Sequence, residues 1–210
     1  MERTTRLAII TVLLVGLELT TLFAQARAEG LQETRARTLI AIAQFRTPHL
    51  TDPCVETGVD IAVVDSWTKG DLGNSSGVST LIEIHQSNHC AAIPLFGMSV
   101  RPADVTFRGG DGLASATLTG VTSGTDFVSG QTFVLAFAVV WEATGERARE
   151  RSHEIVTVDG CSAHVRLTGS VRPAIAFGTV SIPGVNFTPT TTEFATLSSE
   201  KGGVQTIGDC

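Results

Sequence analysis

Residues 161–174, CSAHVRLTGSVRPA, repeat the layout of residues 90–103, CAAIPLFGMSVRPA, which stand 71 residues earlier. Both stretches open on a cysteine and close on Ser-Val-Arg-Pro-Ala at the same distance. The match continues outward. Glu83-Ile84 and Glu154-Ile155 keep the offset, 62–67 aligns with 136–141 after a shift of three, and 116–118 aligns with 195–197 after a gain of eight. Five anchors in one order indicate an internal duplication with a period of about seventy residues. A unit that small has a thin core when it stands alone, so the two copies are expected to share one interior.

The residues between the anchors suit β-structure. Val, Thr, Ile, Phe and Gly dominate, and the apolar runs are short and broken by glycine-rich turns. Strands are expected at 59–67, 78–85, 91–98, 105–108 and 114–121 in the first unit. The second unit repeats them at 132–142, 149–158, 163–167, 175–181 and 191–197. The expected fold is all-β: one compact sandwich or barrel of about ten strands, with two small tandem β-domains as the alternative. The boundaries are 1–28 for a signal segment, 29–53 for a piece outside the duplication, 54–125 for unit one and 126–210 for unit two. Strand 132–141 is apolar on both faces, which predicts a central strand covered above and below. Residues 146–154 carry charge on both faces, which predicts an exposed hairpin or a guarded edge.

Residues 1–28 have the form of a secretory signal. Arg3 and Arg6 precede an apolar run, and Ala26-Arg27-Ala28 is a small-x-small cleavage site. The mature chain is therefore expected to be secreted or periplasmic, and no later segment is apolar for long enough to span a membrane as a helix. Removing three Arg and two Glu with that segment moves the formal charge from −6 to −7. Only Arg147, Arg149 and Arg151 cluster, and they alternate with Glu146, Glu150 and Glu154, which is expected to cancel most of their field. No nucleic-acid partner is expected.

All four cysteines lie beyond residue 28. An even count in an exported chain points to two disulfides, each stabilising by about 3–4 kcal/mol in the chain-entropy account. The expected pairing is Cys54–Cys90 with Cys161–Cys210; Cys54–Cys210 with Cys90–Cys161 suits a two-fold arrangement as well.

Residues shared by both copies are expected to serve the fold. Trp67 and Trp141 each end a strand and are assigned to the core. Arg101 and Arg172 each precede a proline, so Val-Arg-Pro-Ala is expected to form a strand exit or crossover. A guanidinium over an indole would suit such a corner, which predicts contacts of Trp67 with Arg101 and Trp141 with Arg172. An anion site at the two arginines is the functional alternative.

Residues that differ between copies are the candidates for chemistry. Asp65 lies on an apolar stripe where unit two has Val139, and with Glu83 and Glu154 it forms the candidate set for carboxylate catalysis. Ile93 and Leu95 replace His164 and Arg166, so unit one has an apolar face that needs a cover, with 39–45 expected to supply it and a dimer partner as the alternative. His85, His89 and His153 are candidate metal ligands; on a strand, however, a four-residue spacing spans about 13 Å, too far for one ion. Gly73–Gly77 has the letters of a nucleophile elbow without the helix that motif needs. Asn74 and Asn186 stand in glycosylation sequons. With no Tyr and only two Trp, both assigned to packing, a sugar-binding face is not expected.

The function expected from these residues is non-enzymatic: a binding or structural role outside the cytoplasm, with a protein or small-molecule partner and no cofactor. The alternatives are a barrel that binds an apolar small molecule in its interior and a carboxylate-dependent hydrolase.

Overall fold

The computed structural model describes residues 33–48, 52–70, 73–110, 112–158, 161–182, 185–187 and 192–207. Every described element is a strand: β1 Glu33–Pro48, β2 Val55–Gly70, β3 Ser75–Asn88, β4 Ile93–Val100, β5 Val105–Gly109, β6 Ser115–Thr125, β7 Thr132–Ala143, β8 Ala148–Val158, β9 Cys161–Ile182, β10 Val185–Phe187 and β11 Thr192–Ile207. They form one antiparallel sheet in the order β4-β3-β2-β1-β11-β9-β7-β6-β5, with β8 and β10 also paired to β9. The sheet folds over on itself without closing. Core residues of β1, β2, β3 and β4 pack against those of β6, β7 and the second half of β9 in a single cluster. The shared interior of a sandwich- or barrel-like all-β fold is thus present.

The strand β9 organises this layout. Its first half pairs with β8 on one edge and β11 on the other, through Val171–Ala148 and Ser198–Val171. Its second half pairs with β7 from Ala174 to Ser181. The turn from one layer to the other falls at Arg172-Pro173, inside a continuous strand. In the matching stretch Val100 ends β4 and Arg101-Pro102-Ala103 lead to β5, so Val-Arg-Pro-Ala is a crossover twice. The two stretches are presented differently. Val100 and Pro102 are buried while Val171 and Pro173 are exposed, so likeness in sequence does not extend to likeness in environment.

Two expectations about coverage are corrected. On β7, Leu135, Phe137, Val139 and Trp141 are buried, but Val134, Ala136 and Ala138 are exposed, so only one face is covered. The strand buried on both faces is β1. Leu39, Ala41, Ala43 and Phe45 join the core, and Ile40, Ile42 and Gln44 on its other face are buried too. This strand does not cover Ile93 and Leu95, which remain 49% and 38% exposed on β4. Instead β1 stands between β2 and β11 and joins the two halves of the sheet. The charged stretch forms β8, which pairs with β9 alone among the described strands and is exposed on both faces, as a guarded edge.

A disulfide joins Cys54 to Cys90 with their Cα atoms 5.3 Å apart. It clamps the open end of the β2–β3 pair beside the Val55–Asn88 register. The other expected bridge, Cys161–Cys210, involves a residue outside the described ones. Among the described residues no helix is long and apolar enough to cross a membrane.

Candidate functional site

The two tryptophans part company. Trp141 is fully buried, and its Nε1 donates to the Ile42 carbonyl at 2.8 Å, tying β7 to β1 across the interior. Trp67 is 40% exposed, against the core assignment. The inward face of β2 leaves the core after Val63, and Asp65 and Trp67 lie beyond its edge. The expected indole–guanidinium contacts are also corrected. Val100, the last paired residue of β4, lies level with Ile61, and Trp67 is six residues further along β2, roughly 20 Å. Arg172 Nε donates to the Gly145 carbonyl at 2.7 Å, which fastens the β7–β8 link to β9.

The candidate carboxylates do not converge. Asp65 shares the inward face with Val63, while Glu83 and Glu154 are exposed on the outward face of β3 and β8. Glu83 accepts a long hydrogen bond from Ser99 Oγ at 3.5 Å. The histidines are dispersed as well. His85 lies over Gly58, where a Cβ would come within 2.3 Å of the imidazole. His89 sits in the β3–β4 turn, its amide bonded to the Cys54 carbonyl. His153 stands on β8, where its Nε2 meets Nδ1 of His164 at 2.9 Å in a stacked pair. Among the described residues no three His, Cys, Asp or Glu gather closely enough to hold a metal ion.

Two polar constellations missed in the sequence are structural. Arg46 makes a forked pair with Asp60, at 3.0 and 3.3 Å, and reaches Glu193 at 3.5 Å, linking β1, β2 and β11 on the outward face. Asp126 is buried in the β6–β7 turn. Its carboxylate accepts from the Ser129 hydroxyl and amide, from Val128 N at 3.1 Å and from Gly97 N at 2.8 Å. The Ser129 hydroxyl is foremost in holding this carboxyl down to about 2, with the three amides adding to it against the effect of burial. Phe127 N also donates to the Gly97 carbonyl at 2.7 Å. The outer edge of β4 is thus fastened to a turn of the opposite layer. The run Asp-x-x-Ser-Gly at 126–130, with Gly130 at φ 73°, is the turn signature that could have revealed it.

The open end of the inward face is the strongest candidate site. Directly paired residues in an antiparallel sheet share a face. One row across the strands runs Trp67, Arg37, Lys201, Thr168 and Arg151; the next runs Lys69, Arg35, Gly203, Arg166 and His153. Six cations from five strands therefore occupy two adjacent rows. This is the face that carries Leu39 in the core, and the long strands simply continue past the covering layer. A shallow cavity of about 320 Å³ is lined by Arg35, His164, Arg166, Thr168, Lys201 and Gln205. A second, of about 290 Å³, is lined by Arg37, Asp65, Trp67 and Ser76.

The expectation that alternating Arg and Glu cancel along 146–154 fails for a geometric reason. In a strand successive residues face opposite sides, so alternation separates charge by face. Arg149, Arg151 and His153 fall on the inward side, with Glu150 and Glu154 on the other. Glu200 likewise faces away from Lys201, and burial raises its carboxyl above the usual range. Long, weakly hydrated guanidinium forks are suited to carboxylate, sulfate or phosphate groups. The sequence matches no protein-family model and no curated protein.

Proposed function

We propose that this is an exported, non-enzymatic protein that binds an anionic ligand on the open end of its inward face. The observation that carries the reading is the pair of cross-strand rows that gather Arg35, Arg37, Lys69, Arg151, Arg166 and Lys201 in a chain of formal charge −6. Concentrated positive charge on one face of an otherwise acidic protein steers anions to that face. Side chains of Trp141, Phe45 and Leu135 fill the interior, which supports an external binding surface over an internal pocket. Export rests on the signal-like residues 1–28, and the Cys54–Cys90 bridge is in keeping with an oxidising compartment. The two Val-Arg-Pro-Ala segments are taken as copies of one ancestral unit on the strength of their matching anchors.

Retention on immobilised dextran sulfate tests the reading. The mature protein is expected to bind at low ionic strength and elute with salt. Arg35→Glu combined with Arg166→Glu should abolish retention while leaving the circular dichroism spectrum unchanged. Equal retention of the folded double variant would overturn the proposal.

A further inference from the structure

The basic end has one non-cationic feature at its margin: an exposed indole in a depression of its own. Trp67 ends the first cation row, and Arg37, Asp65 and Ser76 line the same hollow. The ring is 40% exposed, on a strand whose buried inward residues end at Val63, so its position is not required by the core. An apolar ring face bordered by a carboxylate and a hydroxyl matches the mixed surface of a sugar ring, whose C–H face stacks and whose hydroxyls hydrogen-bond. Beyond it the cations continue at every strand: Arg37 on β1, Lys201 on β11, Arg166 on β9 and Arg151 on β8. Inter-strand spacing is about 4.8 Å, so the band from β2 to β8 spans roughly 19 Å. That length fits several successive units of a linear chain bearing repeated acid groups, and exceeds what one small anion can occupy.

Resting on the binding reading above, we propose that the ligand is a linear acidic polysaccharide, laid across the strands with one sugar ring on Trp67 and its carboxylate or sulfate groups on the cation rows. A single-stranded nucleic acid fits less well. Binding of that kind uses several aromatic side chains to stack successive bases, and among the described residues of these two rows Trp67 is the one aromatic ring apart from His153.

Titration of the mature protein with polygalacturonate, dextran sulfate, neutral dextran and poly(dT) decides the matter. Either acidic polysaccharide should bind with micromolar or tighter affinity, neutral dextran should not, and poly(dT) should bind more weakly. Trp67→Ala should weaken polysaccharide binding about tenfold, with Trp67→Phe recovering most of the loss. The slope of log affinity against log salt should stay unchanged in Trp67→Ala but fall by about one for each cation removed, as in Arg35→Gln. Tighter binding of poly(dT), or equal binding by Trp67→Ala, would overturn the polysaccharide assignment while leaving an anion site. Affinity insensitive to both salt and the arginine variants would overturn the anion site itself.

Discussion

Two tryptophans of matching sequence position have opposite roles, and their surroundings show why. Trp141 is enclosed and hydrogen-bonded to a backbone carbonyl of the central strand. Replacing it with Phe keeps most of the apolar area but loses this hydrogen bond, a cost of about 0.5–1.5 kcal/mol. Trp67 stands past the rim, so Trp67→Ala should change stability by no more than about 0.5 kcal/mol. Urea unfolding of the two variants checks both values; a large loss at Trp67 would return it to the core. Glycine is demanded at one strand position for a related local reason. Gly178 has φ 152°, and a Cβ there would meet the Ala138 carbonyl oxygen of the paired strand.

At the scale of elements, the seam between β4 and the β6–β7 turn is the place where an open sheet is kept from uncurling. Asp126 holds it as an ionised acceptor, so its contribution follows its titration. The folded group titrates at about 2 against an ordinary 3.8. The seam's stability is complete above that ordinary value and is lost as pH falls toward 2. Asp126→Ala should lower Tm by several degrees near neutral pH, and the gap from wild type should close on acidification through that window. Calorimetry at a series of pH values measures it; a gap independent of pH would show that the carboxylate charge is not what holds the edge. The open end of the same hairpin system is secured differently, by the Cys54–Cys90 bridge beside β3.

For the whole molecule, β1 is the strand on which the rest depends, although it lies outside the two stretches whose sequences match. It pairs with β2 and β11 along nearly its full length, receives the Trp141 hydrogen bond and contributes four residues to the core cluster. Deleting residues 33–48 should therefore leave two sheet fragments with too little buried surface and abolish the cooperative unfolding transition. A deletion variant that still melts cooperatively by calorimetry would show that each half folds alone.

Local residue chemistry was enough to place the strands. Alternating apolar positions, β-branched side chains and glycine turns act over a few neighbours, and the expected strands 59–67, 78–85 and 132–142 lie within strands that formed, while 163–167 and 175–181, expected as two strands, are parts of one, β9. The Cys54–Cys90 pair was also legible, because one hairpin brings both ends together. What β7 and β1 show is that apolar composition states that a strand can be buried on two sides, and only the neighbours decide whether it is. The basic end depends on register in the same way. Its six cations are scattered from Arg35 to Lys201, and no window of sequence holds more than two or three of them. Pairing five strands at fixed offsets makes them adjacent, and a slip of one residue would send a strand's cations to the opposite face. Short-range preferences are written residue by residue, whereas a surface assembled from distant segments exists only once the backbone hydrogen bonds have chosen their partners.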